Sequence, residues 1–507
     1  MVKKSSINLY KLCNDLSYSR ENNLSDEIIN ETMKSLKQLL NQYGYACVLG
    51  QLATIWPLDK AIPFFSKVNL STNNKGEIKT IATHYVRAYH GGIERVNAQL
   101  MTLWTQMGYN VVLFTEENEN ELDFPYPSTV KRLIIPSATN LTERLATIQK
   151  HCMDEKVDLY INHNWGNYSV LWECIMLKML HIPYVQYVHG NFACSFCFDK
   201  VNLYQPELFK LCDIVLSLSE TNARFYQLCG CHSYMVQNPI PEDLSNNISL
   251  SNLDSNHILL IGRLSAEKRP MDALKIFRLV HAQQPNVILD IVGGDDGGFI
   301  PQMKTYIMKH NLHNNVIFHG KKKQSEISKL YLNSSCVLFT SEMEGYPMVI
   351  LESKSYGLPL VMYELPYLTL IQDGKGILTA PIGNITQLAE HILYLLKDDS
   401  YRKSIGKAAR ESFDTFNAND LVNTWENIIK FCSPEKQKID NPAYFNPANV
   451  SYADSFIEPM LLDSMKKGYH SVLTNSTNSL DYKIGHMVLK FPRVIFNLLH
   501  KIRRLFK

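Results

Sequence analysis

The chain has 507 residues, of which 45% are hydrophobic and 20% charged, and its 51 Lys and Arg against 49 Asp and Glu leave a formal net charge of +2. Hydrophobic cores stop growing near roughly 250–300 residues, so one core cannot account for this length and two core domains with extra segments are expected. The composition excludes an intrinsically disordered chain, and the charge balance excludes a chain-wide basic field that would draw in nucleic acid.

In chain order, the basic opening Met1-Val2-Lys3-Lys4 leads into Asn, Asp, Ser and Arg rather than the unbroken apolar run of a signal peptide. No stretch of about 18 apolar residues follows anywhere, so a cytoplasmic location is expected. The 11 cysteines are an odd number scattered through apolar segments such as Ala46-Cys47-Val48, which reads as reduced core thiols. Residues 1–76 read as an N-terminal helical extension. Within it, Asp26 to Tyr43 repeats apolar residues at helical spacing, and Ser71 to Gly76 makes a linker.

From Ile78 short apolar strands alternate with amphipathic helices. Strands are predicted at Thr80–Tyr85, Val111–Thr115, Lys131–Pro136, Val157–Asn162 and Tyr184–Val188, with a helix over Ile93–Met107. Such alternation implies a parallel sheet wrapped by helices. A polar run from Asp243 to Asn256 interrupts the pattern, which then restarts with strands at His257–Ile261, Val287–Val292, Val316–Phe318, Cys336–Thr340 and Pro359–Met362. Helices are predicted near Ile385–Leu396 and Leu421–Phe431. The expected organisation is therefore an α/β fold of two doubly wound Rossmann-like domains, 77–245 and 246–432, facing a cleft, with a C-terminal extension over 433–507. Open sheets of this kind bind ligands at the carboxyl ends of their strands.

The segment Ser341-Glu342-Met343-Glu344-Gly345-Tyr346-Pro347-Met348-Val349-Ile350-Leu351-Glu352 follows the buried strand at Cys336–Thr340. Pro347 suits the first position of a helix running to Tyr356, with Gly357 as its stop. A helix start offers free backbone N–H groups to an anion, and Gly345 lets a phosphate approach closely. If the rise were helical throughout, Glu344 and Glu352 would lie about 12 Å apart, near the span of a nucleotide sugar. On spacing alone the default reading is two solvated carboxylates flanking a buried helix.

This Glu-x7-Glu segment, continued by Ser353-Lys354-Ser355-Tyr356-Gly357-Leu358-Pro359, resembles the signature of the retaining family-four glycosyltransferases, of the group 1 type and GT-B fold. The resemblance spans about residues 78–430. It implies that Glu344 faces the transferring sugar, that Glu352 binds the ribose hydroxyls, and that Gly345, Tyr346, Pro347, Met348 and Val349 belong to the donor-binding stretch. Gly262-Arg263-Leu264-Ser265-Ala266-Glu267-Lys268-Arg269-Pro270 lies on a strand-to-helix turn, where a guanidinium and an ammonium can neutralise a diphosphate. By resemblance Arg263 and Lys268 stabilise the departing nucleotide. Tyr89-His90-Gly91-Gly92-Ile93-Glu94-Arg95 resembles the family's donor-phosphate loop at Gly91 and Gly92, although a Gly-Gly pair alone is more often a tight turn. His189, in Tyr187-Val188-His189-Gly190, matches a functional histidine near the reacting sugar, against the plainer reading of a structural hydrogen-bonder.

Cys194-Ser195-Phe196-Cys197 with Cys229-Gly230-Cys231 offers four thiols, but the second pair has one intervening residue and apolar surroundings, and Asp295-Asp296 is not a spaced carboxylate pair. No metal or cofactor is expected beyond a nucleoside-diphosphate sugar as donor substrate. The resemblance implies transfer to a glycan or lipid-linked acceptor with retention, in cell-surface polysaccharide or glycoconjugate synthesis. The alternatives are a sugar-nucleotide epimerase of the same fold and a non-catalytic partner subunit. The tail at 482–507 carries seven Lys and Arg and no acid, interleaved with apolar residues near helical spacing. It reads as a helix lying on an anionic membrane surface, peripheral to the inner face, or as a helix packed on the first domain.

Overall fold

The computed structural model describes residues 25–68, 70, 76–89, 91–164, 169–196, 205–240, 244, 249–417, 421–433 and 452–464. His90, the linker at 71–75 and the basic tail at 482–507 lie outside them. The chain forms two compact units, Met1–Pro239 with Leu421–Lys507, and Ile240–Asp420.

The first unit is built on seven strands: β1 (Thr80–His84), β2 (Asn110–Thr115), β3 (Lys131–Ile134), β4 (Leu159–Asn162), β5 (Tyr184–Val188), β6 (Ile214–Ser217) and β7 (Ser233–Met235). All pair parallel in the order β3-β2-β1-β4-β5-β6-β7, so the winding reverses between β1 and β4. β1, β4, β5 and β6 are buried on both faces, and this is why they read as short continuous apolar runs. Polar residues enter them near their carboxyl ends and bond one another there, as when Asn162 Nδ2 donates to Gln186 Oε1 at 3.0 Å.

The N-terminal extension is a further helical layer on this unit. Its first helix, Asp26–Tyr43, is capped by Ser25 and stopped by Gly44 at φ 82°. In the second, Tyr45–Ile55, a Cβ at Gly50 would come within 2.1 Å of Thr142 Oγ1 and 2.9 Å of its Cα, so the residue must be glycine for this helix to meet Leu141–Asp154 so closely. The third, Leu58–Lys67, sets Phe65 edge-on to Trp172 at 6.1 Å. Trp172 lies on the helix Ser169–Met179, whose residues from Ser169 to Lys178 are all buried. Beneath this layer Arg144 donates to Glu173 Oε1 at 2.6 Å, to Glu116 Oε1 at 2.7 Å and to the Pro136 carbonyl at 2.6 Å. His84 touches the same knot, and burial pushes its imidazole down to about 3.

The helix Leu421–Cys432 corrects an expectation: it belongs to the first unit, not to the second. Trp425 is the reason, since it packs edge-on against Trp104 with centroids 4.9 Å apart and neither ring exposed. Residues 452–464 form another helix of this unit, where Arg224 Nε donates to Asp454 Oδ1 at 2.7 Å.

The second unit holds β8 (His257–Ile261), β9 (Ile288–Val292), β10 (Val316–Gly320), β11 (Cys336–Phe339), β12 (Leu360–Tyr363) and β13 (Ile377–Ala380). They are parallel in the order β10-β9-β8-β11-β12-β13, with the reversal between β8 and β11. Ile258, Leu289, Val361, Phe277 and Ile392 lie in one buried core formed by this sheet and its flanking helices. At the carboxyl ends of β8 and β9 the backbones nearly touch. A Cβ on Gly293, at φ 144°, would sit 1.8 Å from the Gly262 carbonyl oxygen.

Candidate active site

In the second unit the expected residues fall on the loops after β8 and β11, the two strands that flank the reversal. The β8 loop makes a short 3-10 turn, Ala266–Lys268, and Arg269 adopts the left-handed conformation at φ 47° before the helix Pro270–His281. The β11 loop is held against it by two bonds. The Glu342 amide donates to the Glu267 carbonyl at 2.8 Å, and Thr340 Oγ1 donates to the Lys268 carbonyl at 2.8 Å. Arg269 bridges the two loops through Glu342 Oε2 at 2.8 Å and is anchored by Asp272 Oδ2 at 2.7 Å.

These bonds bring Lys268 onto Glu344, and the ammonium donates directly to Glu344 Oε1. Lys268 keeps 22% of its side chain exposed and Glu344 10%. The Glu344 backbone N–H is held by the Tyr367 hydroxyl at 2.9 Å. Arg263 is 64% exposed and reaches Asp296 and Glu267 Oε1, so solvated carboxylates balance its guanidinium. The helix after the loop starts at Met348 with Pro347 as its N-cap, one residue later than expected. Glu344 and Gly345 therefore lie before the helix, and Glu352 lies inside it. Glu352 is buried and accepts from the Tyr331 hydroxyl at 2.7 Å.

In the first unit Gly91 is the N-cap of Gly92–Gln106. The buried Glu94 folds back over this helix start, so that a Cβ on Gly91 would meet its Oε2 at 2.1 Å, and Arg87 Nε pairs with Glu94 Oε1 at 2.8 Å. The Glu94 carboxylate thus lies beside Gly91, where a phosphate was expected. His189 follows β5 directly. It stacks on Tyr187 with centroids 4.4 Å apart and shares a 2.7 Å contact with His163, which follows β4. Burial pushes the His189 imidazole down to about 3 and the His163 imidazole well below its ordinary value.

Residues 242–412 match the family description of glycosyl transferases group 1, and residues 90–244 match that of glycosyltransferase family 4. The chain belongs to these glycosyltransferases. An amylovoran biosynthesis glycosyltransferase of Erwinia amylovora is 22% identical over 67% of this chain and 96% of its own. Among solved structures, sucrose-phosphate synthase from Thermosynechococcus elongatus aligns with a TM-score of 0.58 at 16% identity, over 69% of this chain and 98% of its own. HepE of Anabaena, solved in complex with UDP and glucose, aligns at 0.54 and 16%, over 69% and 98%. The two parallel sheets are those of the GT-B fold.

Several neighbours of the expected site escaped sequence reasoning. Asp296, Glu267, Tyr367 and Tyr331 are ordinary polar residues in loops and helices, and only the fold brings them to Arg263, Glu344 and Glu352. His163 did carry a signal, because it stands just past the apolar strand 157–162 as His189 stands past 184–188. A cavity of about 560 Å³ in the glycosyltransferase lies at the opposite, amino ends of β6 and β7, lined by Lys178, Lys210, Asp213, His232 and Phe431 among others. Two of its lysines already face carboxylates, Lys178 on Asp213 and Lys210 on Glu207, and it is not part of the candidate site. Among the described residues no helix is long and apolar enough to cross a membrane.

Proposed function

We propose that this glycosyltransferase moves a sugar from a nucleoside-diphosphate donor to a hydroxyl of a glycan or lipid-linked acceptor, with retention at the anomeric carbon and without a metal or further cofactor. The observation that carries the reading is the Lys268–Glu344 pair, which joins the loops after β8 and β11, with the exposed Arg263 on the first of these loops. Open α/β sheets bind ligands at such a reversal of winding. The bond from the anomeric carbon to the distal phosphate oxygen breaks, the acceptor oxygen bonds the same carbon, and its proton leaves with the phosphate. Negative charge grows on the diphosphate, and Arg263 and Lys268 stabilise it by exchanging carboxylate partners for phosphate oxygens. Glu344 then faces the sugar and Glu352, oriented by Tyr331, binds the ribose, with Gly345, Tyr346, Pro347, Met348 and Val349 forming the wall of the nucleotide site. For Gly91, Gly92 and His189 of the first unit, the family likeness supplies the proposed role toward the reacting sugar.

Nucleoside-diphosphate release measured with and without glycan and lipid-linked acceptors tests this. Release that requires an acceptor, with the donor's anomeric configuration kept in the product by NMR, is expected. Interconversion of donor sugars without any acceptor would point to an epimerase instead. Attachment to an anionic membrane through 482–507 belongs to the same proposal, and equal vesicle binding by full-length and tail-truncated protein would remove it.

A further inference from the structure

Behind His189 runs a chain of buried hydrogen bonds whose direction can be worked out link by link. Thr83 at the end of β1 donates its hydroxyl proton to Asn97 Oδ1 at 2.6 Å, and a carbonyl oxygen can only accept. With that proton used, Thr83 Oγ1 is an acceptor toward His163 Nε2 at 3.0 Å, so His163 carries its hydrogen on Nε2. Burial keeps His163 and His189 neutral, with one hydrogen on each ring. His163 Nδ1 is therefore bare and accepts from His189 Nε2 at 2.7 Å. That leaves the hydrogen of His189 on Nε2 and a lone pair on Nδ1. Nδ1 has no hydrogen-bond partner among the described residues, and His189 as a whole residue is not fully buried.

We infer that Asn97, Thr83 and His163 are positioning residues that fix the tautomer of His189, so that its bare Nδ1 accepts a hydrogen bond from a hydroxyl of the bound substrate. The inference rests on the proposed role of His189 toward the reacting sugar. The chain joins β1, β4 and β5 with the helix Gly92–Gln106, so the element that begins at the Gly91-Gly92 turn also sets the state of the histidine. A tautomer fixed in this way discriminates by hydrogen-bond direction: a group that donates is accepted, and an ether or carbonyl oxygen at the same place meets a lone pair.

Long-range proton–nitrogen correlation spectra of the full chain labelled with ¹⁵N-histidine read which ring nitrogen is protonated, and His189→Ala assigns the signal. The wild type is expected to show His189 protonated on Nε2. In Thr83→Val, which keeps the shape but removes the acceptor, protonation of His189 spreads to Nδ1 and kcat/KM falls about tenfold. Thr83→Ser restores both. Varying donor and acceptor separately shows which of the two carries the hydroxyl. A wild-type His189 protonated on Nδ1 overturns the inference, and so does a folded Thr83→Val with an unchanged tautomer; the wild-type spectrum decides alone if the valine variant does not fold. Normal turnover in His189→Ala together with the expected tautomer would instead strike the role given to His189 under the proposed function.

Discussion

Replacing Lys268 by Met keeps the length of the side chain and removes its charge, and two different roles of the lysine then give different results. Lys268 and Glu344 are respectively 22% and 10% exposed, so their ion pair lies between an exposed pair, worth about 0–1 kcal/mol, and a buried one, costing about 3–5 kcal/mol when broken. Loss of about 1–2 kcal/mol of stability is expected, or roughly 2–4 °C in melting temperature per kcal/mol for a domain of this size. Turnover should fall by about 10²–10³-fold if the ammonium also stabilises the leaving diphosphate, the usual loss for one preorganised electrostatic donor. Glu344→Gln lowers turnover with little change in donor affinity. In the double variant stability recovers, because no unpaired charge remains, while turnover drops below that of either single variant. Nucleoside-diphosphate release and thermal unfolding across the four proteins provide the cycle. A double variant as active as Glu344→Gln alone would refute the reasoning, since Lys268 would then act only by holding Glu344.

Tyr331→Phe removes the hydroxyl that holds the buried Glu352 and should weaken donor binding about five- to tenfold by calorimetry, with turnover at saturation nearly unchanged. Gly293→Ala drives a Cβ into the Gly262 carbonyl and should cost about 2–4 kcal/mol in denaturant unfolding together with donor binding, whereas a wild-type melting curve would contradict the close approach. His84 and His189 have folded-state values near 3 against about 6.5 when unfolded, so each favours the native state above pH 6.5 and loses that contribution as pH falls toward 3. Unfolding free energies at pH 7, 6 and 5 should therefore decline, and His189→Gln should make the decline shallower by about 1.4 kcal/mol per pH unit at its steepest.

The sequence shows elements well where a single face or a continuous run decides burial. β1, β4, β5 and β8 lie where the apolar runs place them, and Asp26–Tyr43 matches its helical spacing. The helix Ser169–Met179 has no such spacing, because the N-terminal layer covers the side that would otherwise face water. β6, β7 and β13, three or four residues long, are not among the strands predicted from the sequence, although β3, β4, β11 and β12 of the same short length are. The helix Leu421–Cys432 is legible as a helix but not by its partner, since the contact of Trp425 with Trp104 bridges more than 300 positions. At the candidate site, Arg263, Lys268, Glu344 and Glu352 are marked by their places on strand-to-helix turns. Their pairing is not: that Lys268 meets Glu344 depends on the loops being stitched at Thr340 and Glu342, a consequence of the sheet order.

The tight seating of Gly50 against Thr142 bears on how the chain is made. Thr142 follows Gly50 by 92 positions (142 − 50), and synthesis at about 5–20 residues per second delays its arrival by roughly 5–20 s. Leu49, Leu52, Phe64 and Phe65, all buried in the finished fold, are likewise made before Thr142 and the helix that carries it. The helix Tyr45–Ile55 of this layer is thus made before the helix Leu141–Asp154 that it packs on, and the face it sets there stays uncovered until that helix follows.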